Sequence, residues 1–186
     1  MQTTDSGAAS TLYYTRTAIA MHWLIAALIA AAFAFGWVML ALAITPLKVR
    51  MFNWHKWVGI VALALVAVRG AWSVVRSPPV PLPMPAWQRV AAQSLHVLLY
   101  LLMIAVPVSG WIYSNAVGYS IIVFGLLPLP DLVSRDKALG ELFVQIHRSA
   151  SWLLLFAVCA HTAAALKHHF VDRDDTLRRM LRWRTR

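Results

Sequence analysis

The sequence predicts an all-α membrane protein, a four-transmembrane-helix up-down bundle, and three observations carry that prediction. Hydrophobic residues make up 60% of the 186 and charged residues 13%, with a mean hydropathy of +0.65, which is too apolar for a soluble domain of this length. Four segments reach the roughly 20 apolar residues that a membrane-spanning helix needs. None of the four carries an acidic residue beyond its first turn. Lipid offers backbone polar groups no partner, so helices that satisfy their own hydrogen bonds are the economical way across.

The segments run from about Thr17 to Ile44, from Trp54 to Val75, from Val90 to Tyr113 and from Leu139 to Leu166. A basic tail, 167–186, follows, and the whole of 1–186 reads as one membrane domain. Ala32-Phe33-Ala34 has the small-x-small pattern of a signal-peptide cleavage site. The preceding apolar run is longer than a signal core and its flank is only weakly basic, so the segment is expected to span the membrane. Cys159, the single cysteine, allows neither an intrachain disulfide nor a cysteine-based metal site.

An even number of spans puts both termini on one side, and the flanking basic residues choose that side. Arg16, Arg69, Arg76, Arg89, Lys167 and the six arginines of the tail lie towards the termini, against Lys48, Arg50, Lys56, Arg135, Lys137 and Arg148 opposite. The excess predicts cytoplasmic termini. The tail from Asp172 to Arg186 is then expected to rest on anionic lipid, with no nucleic acid as partner. Only Asp131, Asp136 and Glu141 offset the six bases of the outer face, which is therefore cationic as well.

Ser77 to Pro85 carries a proline at nearly every second position and cannot be helical, so it reads as a stiff cytoplasmic connector. Ile121 to Leu127 is apolar but too short to span, and Pro128 and Pro130 end it. It is expected to form an interfacial cap on the outer side.

Ionisable residues inside membrane helices are costly and mark function, and five histidines lie within or at the ends of the apolar segments: His22, His55, His96, His147 and His161. With cytoplasmic termini, His22 and His96 lie near the inner starts of their helices, and His55 and His147 near the outer starts of theirs. His161 follows His147 by 14 residues, which is about 21 Å along the axis and close to four whole turns, so both project from one face at two depths. Two pairs follow: His55 with His147 outside, and His22 with His161 inside. Paired imidazoles from facing helices suit haem iron, closing both axial positions and favouring electron transfer over oxygen binding. Gly59 and Ala62, and Ala26 and Ala30, recur one and two turns beyond His55 and His22 and could admit a flat macrocycle, although small residues also serve ordinary helix packing. Zinc or copper is the weaker reading, since neither carboxylates nor a cysteine cluster accompany the histidines.

The ordered set of motifs resembles the bacterial cytochrome b561 family of four-helix di-haem membrane cytochromes. It comprises Arg16 to Trp23 with Met21-His22-Trp23, then His55-Lys56-Trp57-Val58-Gly59 and Arg69, then His96 with Tyr100, Pro107, Gly110 and Trp111, and finally His147 and His161 leading into Ala163 to Phe170. The resemblance implies two haem b groups ligated from the first, second and fourth helices, and a quinone site at the cytoplasmic end. It makes His96 and His168 quinone-pocket candidates, and His168, seven residues past His161, would lie on the same face. Arg69 is a candidate partner for the inner haem propionates.

Small stand-alone members of the family resemble superoxide oxidase, so the resemblance implies superoxide oxidation at the periplasmic face and ubiquinone reduction near the cytoplasmic face. A cationic outer face would speed arrival of a small anion. Lys56 and Arg148, each next to an outer histidine, are the candidate superoxide residues, with haem propionate or lipid phosphate as their alternative partners. The competing function is a cytochrome b subunit that passes electrons from a partner dehydrogenase or hydrogenase to quinone.

Overall fold

The computed structural model describes residues 14–76, 79–80 and 82–181. Its long helices are α1 (Arg16–Ala41), α2 (Pro46–Val75), α3 (Ala86–Ala116) and α4 (Lys137–Lys167). A π-helical turn, His168–Asp172, continues α4, and a short α5 (Arg178–Leu181) follows. All four long helices have the length and apolarity to cross a membrane.

Local chemistry sets the helix starts. Thr15 Oγ1 accepts from the Ala18 amide and Thr45 Oγ1 from the Lys48 amide, with Pro46 in the first turn of α2. Asp136 caps α4 by accepting from the Leu139 amide. The second helix therefore begins eight residues before the expected Trp54, because Lys48, Arg50 and Asn53 interrupt the apolar run without interrupting the helix. The first ends at Ala41 rather than Ile44, and the third extends at both ends of its apolar run. Interior Pro107 is carried within α3.

α1 packs along α2 and α3 along α4, with a lesser contact between α2 and α3. α1 and α4 are not a closely packed pair. Leu99, Leu102, Leu154 and Ala157 form the core between α3 and α4, with Phe33, Leu95 and Val158 against it. Large apolar side chains such as Leu101, Trp152 and Phe156 point outward, a distribution that only a lipid solvent makes favourable.

Between α3 and α4 the expected cap is a β-hairpin, β1 (Ile122–Val123) pairing antiparallel with β2 (Leu127–Pro128). Phe124 and Gly125 turn it with positive φ. It docks on protein as well as facing lipid: Ile121 and Val123 are buried and the Trp57 indole donates to the Ile122 carbonyl at 2.8 Å. Buried Asn115 fixes the loop beyond, donating to Asp131 Oδ1 at 2.6 Å and accepting from the Leu132 amide at 3.0 Å. Asn115→Ala removes both bonds, one of them to a carboxylate, and should cost about 1–3 kcal/mol. Faster proteolysis between residues 117 and 136, without loss of helix content, checks this.

The connector residues 79–80 and 82–85 are non-helical as expected; Ser77, Pro78 and Pro81 lie outside the described residues. Arg173 takes a left-handed conformation (φ 55°) and sends the chain back towards the bundle. Arg182, Arg184 and Arg186 lie outside the described residues.

Candidate functional site: two histidine pairs at two depths

The outer pair joins His55 of α2 to His147 of α4, ring centroids 6.0 Å apart and nearly perpendicular. His55 Nδ1 lies 2.8 Å from the Ala32 carbonyl and His147 Nδ1 lies 2.9 Å from that of Val106. A carbonyl only accepts, so Nδ1 carries the proton in both rings and Nε2 keeps its lone pair for a metal. Ser109 also donates to the Val106 carbonyl, at 2.8 Å.

Glycines make room for these rings. A Cβ on Gly36 would come within 3.5 Å of the His55 ring, and one on Gly110 within 3.0 Å of His147 Cε1. A Cβ on Gly59, one turn beyond His55, would find its nearest neighbour only in Pro107, at 3.9 Å. Sequence spacing missed Gly36 and Gly110 because each lies on a different helix from the histidine it accommodates. Trp111, beside Gly110, has a buried indole N–H with no acceptor among the described residues.

The inner group holds three rings. His22 and His161 centroids are 6.2 Å apart, and His96 is 5.3 Å from His161. Arg69 reaches across this level, donating to the Ala18 carbonyl at 2.6 Å and to the Tyr100 hydroxyl at 3.3 Å. Those acceptors lie one turn from His22 and from His96, and the guanidinium has further donors. Burial holds the Tyr14 hydroxyl above its ordinary value, against the pull of Arg69 and Arg179.

The chain matches the family described as prokaryotic cytochrome b561 over residues 13–183. It belongs to that family. The cytochrome is 35% identical over 164 residues to "Cytochrome b561 homolog 2" of Escherichia coli (strain K12), covering 87% of each chain. It is 28% identical over 181 residues to "Cytochrome b561 homolog 1" of the same strain, covering 90% of this chain and 96% of the relative. It is also 28% identical over 174 residues to "Probable superoxide oxidase CybB" of Yersinia pestis, covering 90% and 95%. Membership makes it a multi-pass membrane cytochrome of electron transfer and implies haem b.

The residues present fit that group. A metal–imidazole bond is about 2 Å, and a ring centre lies about 1 Å behind its nitrogen, so two axial imidazoles on one iron have centroids about 6 Å apart. The pairs at 6.0 and 6.2 Å meet this and the 5.3 Å contact of His96 falls short. His22 and His161 also face each other from two helices that do not pack side by side, which leaves width for a macrocycle.

The other candidates are dispersed. Lys56 is half-buried and Arg148 exposed, and neither lines the outer-side cavities. Those gather Arg135 and Lys137 with Tyr113 and Glu141, and Arg135 with Asn115, Ser120 and Asp131. Arg135 was not singled out in the sequence; its side chain meets the Gly118 turn, a loop contact without a sequence signal. His168 closes α4, its amide donating to the Ala164 and Ala165 carbonyls, and the π-helical turn begins there. Its Nδ1 is 3.0 Å from Asp172 and 2.8 Å from Asp174. Burial works to raise the Asp174 carboxyl, but hydrogen bonds from Thr176 and His168 prevail and hold it below its ordinary value.

Proposed function

We propose that this cytochrome is a di-haem superoxide:ubiquinone oxidoreductase, with both termini in the cytoplasm. His55 and His147 hold the outer haem, and His22 and His161 the inner one. Bound haem supplies reversible one-electron chemistry at each depth. The observation that carries the reading is the spacing of the two couples, each of axial separation and stacked 14 residues apart on α4. The likeness to a relative named probable superoxide oxidase supports the donor.

The balance is two superoxide anions oxidised to dioxygen for one ubiquinone reduced to quinol, with two protons taken up on the inner side. Lys56 and Arg148, backed by Lys48, Arg50 and Lys137, draw the anion to the outer face. Arg69 binds the inner propionates. His96, beside His161, donates a proton to quinone in this reading, with His168 and its carboxylates further out.

Stopped-flow mixing of the purified cytochrome with superoxide, then with a short-chain ubiquinone, tests this. Fast haem reduction followed by reoxidation is expected, and absence of fast reduction would rule out superoxide as donor. Co-purification with a dehydrogenase on which all turnover depends would favour the subunit role instead. The reduction rate should fall several-fold between about 0.01 and 0.15 M salt, as the Debye length shrinks from about 30 to 8 Å. Lys56→Ala with Arg148→Ala should slow it and flatten that salt dependence while both haems remain bound.

A further inference from the structure

The two histidine pairs are oriented by different means. His55 and His147 each have Nδ1 tied to a backbone carbonyl of a neighbouring helix. Among the described residues, His22 makes no such bond. Its imidazole instead meets the Trp23 indole edge-on, centroids 5.4 Å apart at 84°. That indole is itself held, its N–H donating to the Met180 carbonyl at 2.8 Å across 157 residues of chain.

Met180 belongs to a segment that turns back under the bundle. The left-handed Arg173 reverses the chain, and Asp174 pins the reversal by pairing with His168 at 2.8 Å and accepting from the Thr176 amide at 2.8 Å. Arg179 then donates to the Val80 carbonyl in the proline connector at 2.9 Å. The segment thus joins the end of α4 to the start of α1 and to the α2–α3 connector, at the end of the bundle where α1 and α4 lack close packing of their own.

We infer that residues 173–181 are a clasp that locks the Trp23 indole against His22, making Trp23 a positioning residue for the inner imidazole. The clasp restrains the His22 ring by contact, where the Ala32 carbonyl restrains that of His55 by a hydrogen bond. It also sets the separation of α1 and α4 at the inner depth. This rests on the assignment of His22 and His161 to an inner haem, and a wild-type protein holding two haems, of which His161→Ala removes one, establishes that assignment separately.

The test is Trp23→Phe in the full chain, which keeps an aromatic ring and removes the donor. Low-spin electron paramagnetic resonance reads the orientation of the axial imidazoles, and apomyoglobin capture reads haem loss. The inner signal should shift, and the inner haem should leave about fivefold faster, as expected for one lost hydrogen bond. The outer signal should stay in place. Arg179→Gln, which frees the clasp from Val80 without touching α1, should move the inner signal in the same direction by less. Equal shifts at both haems would mean general loosening and overturn the inference, as would no shift in either variant. A wild-type protein with one haem would instead fell the inner-haem assignment and the inference with it.

Discussion

His161→Ala is expected to remove the inner haem entirely, while His96→Ala leaves both haems in place and slows only quinone turnover. Both residues line the same inner space, their rings 5.3 Å apart, and sequence depth alone puts either beside His22. The distances separate them. His161 stands 6.2 Å from His22, an axial separation, whereas His96 is too near His161 to share an iron with it. Losing a group that merely supports a ligand typically costs 10–100-fold in metal affinity, so loss of the ligand itself should cost at least about a hundredfold. A reduced-minus-oxidised spectrum should lose one α-band component in His161→Ala and none in His96→Ala. The reverse result would exchange the roles of the two residues.

Gly110→Ala is expected to weaken haem binding at the outer site although it touches no ligand bond. The added methyl would stand 3.0 Å from His147 Cε1 and 3.1 Å from Nδ1. The ring is tied to the Val106 carbonyl at 2.9 Å, so a retreat of a few tenths of an ångström stretches the bond that fixes its tautomer. Overpacking of this kind costs about 1–3 kcal/mol, enough to weaken outer haem affinity about tenfold. Gly36→Ala, whose methyl would meet His55 at an ordinary 3.5 Å, should be far milder. Haem content and the outer spectral component distinguish the two. Equal behaviour would show that neither glycine is a ligand spacer.

Much of this architecture was legible in the sequence, for a physical reason. Four apolar runs leave a bilayer as the only favourable solvent, and four turns between His147 and His161 give one face at two depths whatever the tertiary detail. The helix starts were harder. Hydropathy placed the second at Trp54, while the Thr45 cap and Pro46 begin it among residues too polar for a window to include. The small residues against the ligands were illegible from spacing, since Gly36 and Gly110 act across helix interfaces. The π-helical turn from His168 to Asp172 had no signal, because it follows a stretch of α4 that keeps the ordinary 3.6-residue period. The return of residues 173–181 under the bundle had no signal either, because Trp23 and Met180 meet through an indole and a backbone carbonyl.

The most direct measurement is the haem count per polypeptide of the protein purified after expression with ample haem, by alkaline pyridine haemochrome against quantitative amino-acid analysis. Two haem b per chain, with a split α band in the reduced spectrum, is the predicted result. Colourless protein, or one haem per chain, would contradict the pairing of His55 with His147 and of His22 with His161.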